Sequence, residues 1–163
     1  MSLQDQLARS AEQCARLLSQ TSDKLVFAES CTSGLLAATI SQIPGISQYF
    51  CGSFVTYRES LKVDAIGVSL ETLIKFTAVS ESTSNEMLAG AISRCSESTL
   101  GLAVTGHLGP NAPADLDGRI FIAVGRRNQA FTSIGIRLTS ESRHDRQLES
   151  ALRAFEQLNS LLG

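Results

Sequence analysis

Tryptophan is absent from this 163-residue chain, and histidine occurs only as His107 and His144. Four cysteines accompany them, none in a Cys-x-x-Cys pair, so the pattern of a zinc site is missing and no metal is expected. A Ser-His-Asp triad is equally poorly supplied. Lysine is scarce too, with only Lys24, Lys62 and Lys75. The 14 basic residues stand against 16 acidic ones, a net charge of -2, which leaves no basic footprint for nucleic acid. No apolar run approaches the ~20 residues that span a bilayer, so no membrane partner is expected. The start of the chain lacks the apolar core of a signal peptide. The expectation is a cytoplasmic protein in which Cys14, Cys31, Cys51 and Cys95 are reduced thiols. Repeats, low-complexity segments and linkers are also missing, which points to one domain over residues 1–163.

What is present is an alternation of periods. Leu3, Leu7, Ala11, Cys14, Ala15 and Leu18 recur at helical spacing and predict an amphipathic helix over 3–20. Residues 24–28 read as a short buried strand, 35–40 as a helix and 49–57 as a β-branched and aromatic strand. Short helices follow near 59–66 and 69–76, and Ser80 is placed to cap a helix to about Cys95. A strand over 100–105, a loop from His107 to Gly118 holding two prolines, a strand pair at 119–125 and 130–137, and a closing helix complete the chain. The pattern predicts a three-layer α/β/α sandwich with a mixed, mostly parallel sheet.

The junction Glu29-Ser30-Cys31-Thr32-Ser33-Gly34 stands where a strand feeds a helix. First-turn amide groups and the helix dipole there can hold a phosphate or a developing oxyanion, and small residues allow close approach. A plain serine N-cap produces the same pattern. The segment is neither Gly-x-Ser-x-Gly nor a P-loop. A nucleophilic serine needs a base. His107, in the loop after Thr105-Gly106, is one candidate. Lys62 is the other: a desolvated lysine beside a serine can lose its proton, while an exposed one is only a surface charge.

The assembled motifs resemble one family. Ala28-Glu29-Ser30-Cys31-Thr32-Ser33-Gly34-Leu35-Leu36 resembles A-E-S-C-T-G-G-L-L, and Val55-Thr56-Tyr57 with Lys62 resembles Y-S-N-E-A-K. Ile66-Gly67-Val68 with Glu71-Thr72-Leu73, Ala78-Val79-Ser80-Glu81, and Ala103-Val104-Thr105-Gly106 with Gly109-Pro110 follow in the family's order from about residue 5 onward. The family is the CinA C-terminal domain, also called nicotinamide-nucleotide amidohydrolase. The resemblance implies hydrolysis of the carboxamide of nicotinamide mononucleotide, a small-molecule nucleotide, to nicotinate mononucleotide and ammonia. It implies no cofactor and a homodimer or higher homo-oligomer. It makes Ser30 the nucleophile, Lys62 its base and Tyr57 a proton relay. Cys31, Thr32, Ser33, Gly34, Thr105 and Gly106 would line the pocket, and Arg146, with Arg143 as its rival, would bind the substrate phosphate as a fork.

The chain also departs from the pattern. Ser33 replaces a glycine, and Glu59 an asparagine. The loop 107–118 lacks the family's paired glycines and its Lys-Pro-Val, and carries Asp115 and Asp117, residues that suit a solvated turn. Glu59 facing the pocket would repel a phosphate and raise the pKa of Lys62. These departures favour the alternative of a non-catalytic nucleotide- or anion-binding paralogue of the same fold.

Overall fold

The computed structural model describes residues 1–163. In chain order the elements are α1 (Leu3–Leu18), β1 (Leu25–Glu29), α2 (Leu35–Ile40), β2 (Phe50–Val55), α3 (Glu59–Ile66), α4 (Leu70–Phe76), α5 (Glu81–Arg94), β3 (Leu100–Gly106), β4 (Arg119–Arg126), β5 (Thr132–Arg137) and α6 (Arg143–Leu162). One 3-10 turn, Ile46–Gln48, precedes β2.

The sheet runs β2-β1-β3-β4-β5. β1 pairs in parallel with β2 and β3, while β4 is antiparallel to both β3 and β5. Four of the five strands therefore point the same way. β4 runs against them because the 107–118 loop returns the chain alongside β3, and the turn after Arg126, with Asn128 at φ 63°, reverses it again into β5.

β1 is buried along its whole length, which explains its unbroken apolar run. Its side chains still alternate between faces. Leu25 and Phe27 pack with α1, α2 and α6, where Leu18, Leu36 and Phe155 complete the larger core. Val26 and Ala28 join Ala103 and Ala123 under α5, against Met87, Leu88 and Ile92. Small side chains dominate that second face of the sheet, so α5 lies close to it. A Cβ at Gly101 would approach Leu88 to 2.6 Å. Helices thus cover both faces, and three layers result.

Close approach recurs between helices. A Cβ at Gly90 of α5 would lie 1.8 Å from the carbonyl oxygen of Ile66, the last residue of α3. The two helices cross there with backbone against backbone. No helix is long and apolar enough to cross a membrane.

Sequence and structure differ mainly at element ends. The first helix stops at Leu18, β2 is confined to Phe50–Val55 and β5 begins at Thr132. Ends fray because the terminal residues have lost ladder or helix partners on one side.

Candidate active site

The carboxyl ends of β1, β2 and β3 open on a cleft of about 670 Å³ lined by Ser30, Cys31, Lys62, Thr105, His107 and Arg143 among others. In a parallel sheet this edge is where ligands gather.

Ser30 is the first residue beyond β1. Its amide donates to the Val104 carbonyl at 3.0 Å, which ties it to the neighbouring strand, and only 7% of its surface is exposed. Lys62 comes from the first full turn of α3 and is 1% exposed. Its Nζ donates to Ser30 Oγ at 2.9 Å, to the Thr56 carbonyl at 2.7 Å and to the Tyr57 carbonyl at 3.4 Å. No carboxylate pairs with it. Burial therefore dominates and pushes its pKa down from 10.5 to about 8, against smaller opposing effects from Cys31 and Glu59. The structure brings Ser30 and Lys62 together; His107 also lines the cleft but makes no hydrogen bond with Ser30.

The turn after β1 is organised by a residue the sequence reading passed over. Glu29 is fully buried, and its carboxylate accepts from Thr32 Oγ1, the amides of Gly34, Leu36 and Ala37, and Ser53 Oγ, at 2.8–3.1 Å. Ser30 is consequently not the cap of α2; Gly34 occupies that position at φ 94° and Glu29 takes the helix's orphan amides. The expectation of a free helix N-terminus facing the ligand is corrected, because those donors are already used. The amides of Cys31 and Thr32, directly after Ser30, donate to no backbone carbonyl or carboxylate, and of the two residues only Cys31 lines the cleft. In sequence Glu29 is the acid that closes an apolar strand and stands in the family-matching motif, with nothing to show which amides it takes.

Several expected pocket residues lie elsewhere. Cys31 and Gly106 do line the cleft, as does Thr105, whose hydroxyl donates to the Ala78 carbonyl at 2.8 Å. Thr32 is fully buried with its hydroxyl turned to Glu29, Ser33 is exposed at φ 51°, and Gly34 donates to Glu29; none of the three lines the cleft. Ser33 occupies a left-handed position, which suits the glycine the family pattern has there. The Cys31 thiol is pushed up to about 12 by burial, so a helix-lowered thiolate is excluded.

Tyr57 contributes its carbonyl to Lys62, while its phenol is 51% exposed and accepts from Arg143 Nη2 at 2.6 Å. It makes no hydrogen bond with Ser30, so the relay position is not formed. Of the two arginines, Arg146 does not line the cleft and stands in an adjoining hollow beneath the 108–112 loop. It holds Asp117 with two hydrogen bonds of 2.8 and 3.0 Å and donates to the Ser140 carbonyl. This pairing keeps Asp117 below its usual carboxylate range. Arg143 lines the cleft, bridging the Tyr57 phenol and the Gly109 carbonyl. Asp117 lies in the expected solvated turn, its side chain 43% exposed, and is in addition the ion-pair partner of Arg146. Arg58, unremarked in the sequence, joins the lining beside Glu59.

The family model described as "CinA C-terminal domain" matches residues 7–162. A CinA-like protein from Fervidobacterium nodosum is 39% identical over 87% of this chain and 35% of its own length. One from Thermotoga neapolitana is 33% identical over 93% of the chain and 36% of its own length. The chain therefore spans about a third of these relatives. Among solved structures, the competence/damage inducible protein CihA from Agrobacterium tumefaciens superposes with a TM-score of 0.90 at 32% identity, covering 96% of this chain and 95% of that one. A CinA superfamily protein from Enterobacter cloacae gives 0.88 at 26% identity, covering 96% and 92%.

Proposed function

Because the chain belongs to the CinA C-terminal domain family, we propose that it hydrolyses the carboxamide of nicotinamide mononucleotide, with Ser30 as nucleophile and Lys62 as base. The observation that carries this reading is the buried 2.9 Å contact between Lys62 Nζ and Ser30 Oγ, made without any carboxylate to hold the amine charged.

With a pKa of about 8, roughly a tenth of Lys62 is neutral at pH 7. The neutral amine keeps two protons on the Thr56 and Tyr57 carbonyls and turns its lone pair to the serine hydroxyl. Lys62 takes the proton as Ser30 Oγ bonds to the carboxamide carbon. The oxygen of the tetrahedral intermediate becomes an anion, and the amide of Cys31, which lines the cleft beside Ser30 and donates to no backbone carbonyl, is the donor at hand. The intermediate collapses by breaking the carbon–nitrogen bond, and Lys62 returns its proton to the departing ammonia. Water then attacks the acyl-enzyme, Lys62 removes its proton, and cleavage of the ester restores the serine hydroxyl and frees nicotinate mononucleotide. Arg143 and Arg58 supply positive charge for the phosphate at the cleft mouth.

The test is ammonia and nicotinate mononucleotide release by purified protein in the presence of a chelator. Stabilisation by the nucleotide with no product over hours favours the second reading, a binding paralogue, which Glu59 at the cleft and the engagement of Arg146 by Asp117 support. Absence of both product and stabilisation rejects the substrate.

A further inference from the structure

Glu29 is a charged side chain sealed from solvent, with no cationic side chain bonded to it. Such a group is costly to bury unless every lone pair is used. Here five donors use them, and they come from three separate pieces of the chain: the turn itself through Thr32 and Gly34, the start of α2 through Leu36 and Ala37, and β2 through Ser53. A cap for a six-residue helix needs only the helix amides. The additional bonds to Thr32 and Ser53 require another account.

They act on the two elements that meet at the serine. The Thr32 bond ties the second residue after Ser30 to the carboxylate, so Cys31, whose amide donates to no backbone carbonyl, is held between two fixed neighbours. The Ser53 bond fixes β2 against β1 three residues before Thr56, whose carbonyl holds Lys62. Glu29 itself lies next to Ser30 in the chain, and its own carbonyl accepts from the Thr56 amide at 2.8 Å. One carboxylate therefore fastens the nucleophile's turn and the strand end that aims the amine.

We propose that Glu29 is a positioning residue for the Ser30 chemistry, bracing the turn that carries Ser30 and the Cys31 amide and keeping β2 in register with it. The inference rests on the serine–lysine reading above. Glu29 touches no substrate and exchanges no proton. Its effect falls on the step in which charge develops, since it braces the serine's own turn and bonds to none of the residues that hold Arg143, namely Tyr57 and Gly109.

The experiment compares Glu29→Gln with the wild type, supported by Thr32→Val and Ser53→Ala, which each remove one donor and leave the α2 amides paired. Glutamine presents an NH2 group to at least one N–H or O–H donor, so the turn loosens while the volume is kept. Two readouts are taken: steady-state ammonia release, and the rate at which a fluorophosphonate labels Ser30 with loss of fluoride, followed by mass spectrometry. The expected result for Glu29→Gln is a kcat at least about 30-fold lower with KM within about threefold and a parallel slowing of labelling. The pH at which Lys62 titrates in the rate profile stays in place. The two single-donor variants, which retain the fold, each lose several-fold in kcat. A folded Glu29→Gln with unchanged kcat, or an unfolded one accompanied by unaffected Thr32→Val and Ser53→Ala, overturns the proposal and leaves Glu29 a helix cap. Wild-type protein that labels at Ser30 but releases no ammonia rejects the substrate alone, and the labelling rates still decide the role of Glu29. Wild-type protein that does neither rejects the serine chemistry and this proposal with it.

Discussion

The turn after β1 and the loop after β3 leave neighbouring parallel strands at the same edge of the sheet, yet they are held by opposite means. The β1 turn is short, buried and gathered onto one carboxylate inside the protein. The β3 loop, residues 107–118, is exposed or half-buried at all but Leu108 and Gly118 and is held from outside by arginines: Arg146 on Asp117, Arg137 on the carbonyls of Asp115 and Asp117, and Arg143 on Gly109. Bonds in the interior are strong because the alternative is an unpaired buried group, whereas exposed ion pairs compete with water and salt. Chemistry that tolerates no displacement belongs on the first kind of segment, and recognition that can adapt belongs on the second.

Four substitutions test that division, in falling order of effect, with Cys31→Ala as the control for the first. Ser30→Ala should lower kcat by at least about a thousandfold with little change in the fold, measured by ammonia release and circular dichroism. Cys31→Ala, beside it, should stay within a few-fold of wild type, because its thiol is held up to about 12. The reverse ranking would move the nucleophile to the cysteine.

Lys62→Met should reduce kcat about as severely, on the order of a hundred- to a thousandfold. Arginine is a poor replacement, since a buried guanidinium stays charged and needs more room. The wild-type rate should climb as pH rises through about 8, the folded value for Lys62, as the amine loses its proton. Stability follows the same group. Its folded pKa of about 8 lies below the free value of 10.5, so between these limits the unfolded chain binds more protons. Wild-type stability should therefore gain on Lys62→Met as pH rises from 7 to 10, by up to about 3 kcal/mol, in paired denaturant titrations. A gap that stays constant with pH would mean the amine is well solvated.

The outer loop should respond through binding. Arg143→Ala should raise KM for the nucleotide by about tenfold and leave kcat nearly unchanged, because its contacts are with the Tyr57 phenol and Gly109 at the mouth. A fall in kcat with constant KM would instead bring Tyr57 into the proton path. The smallest change is expected for Asp117→Asn, which frees Arg146 from one surface pair: KM should shift about two- to threefold, by the same assay. If Arg146, once freed, lowered KM, the ion pair would be restraining a second phosphate ligand.

The same contrast explains what could be read from sequence. The strands and the layered fold class followed from apolar runs and turns, since Leu25–Ala28 and Leu100–Val104 have no polar side chain to place outside. Lys62 stood out because only two other lysines exist. Three-dimensional competition hid the rest. The α2 amides look free in one dimension, and only folding shows Glu29 reaching them. Arg143 and Arg146 sit three residues apart on one helix, and which enters the cleft depends on Asp117, a partner from the loop that departs most from the family pattern.

Gly90 contributes no atom to the cleft, yet it gauges the distance on which the chemistry depends. The end of α3 rests on it, carbonyl to bare Cα, and α3 is the helix that carries Lys62. Adding a methyl group there would put a carbon 1.8 Å from the Ile66 oxygen, where contacts under 3.0 Å are not tolerated. Relief requires a shift of about 1 Å, a third of the Ser30–Lys62 separation. Gly90 thus works like a machinist's shim of zero thickness: thickening it would alter no charge and no reacting group, yet it would silence the pair by lifting the amine off the serine.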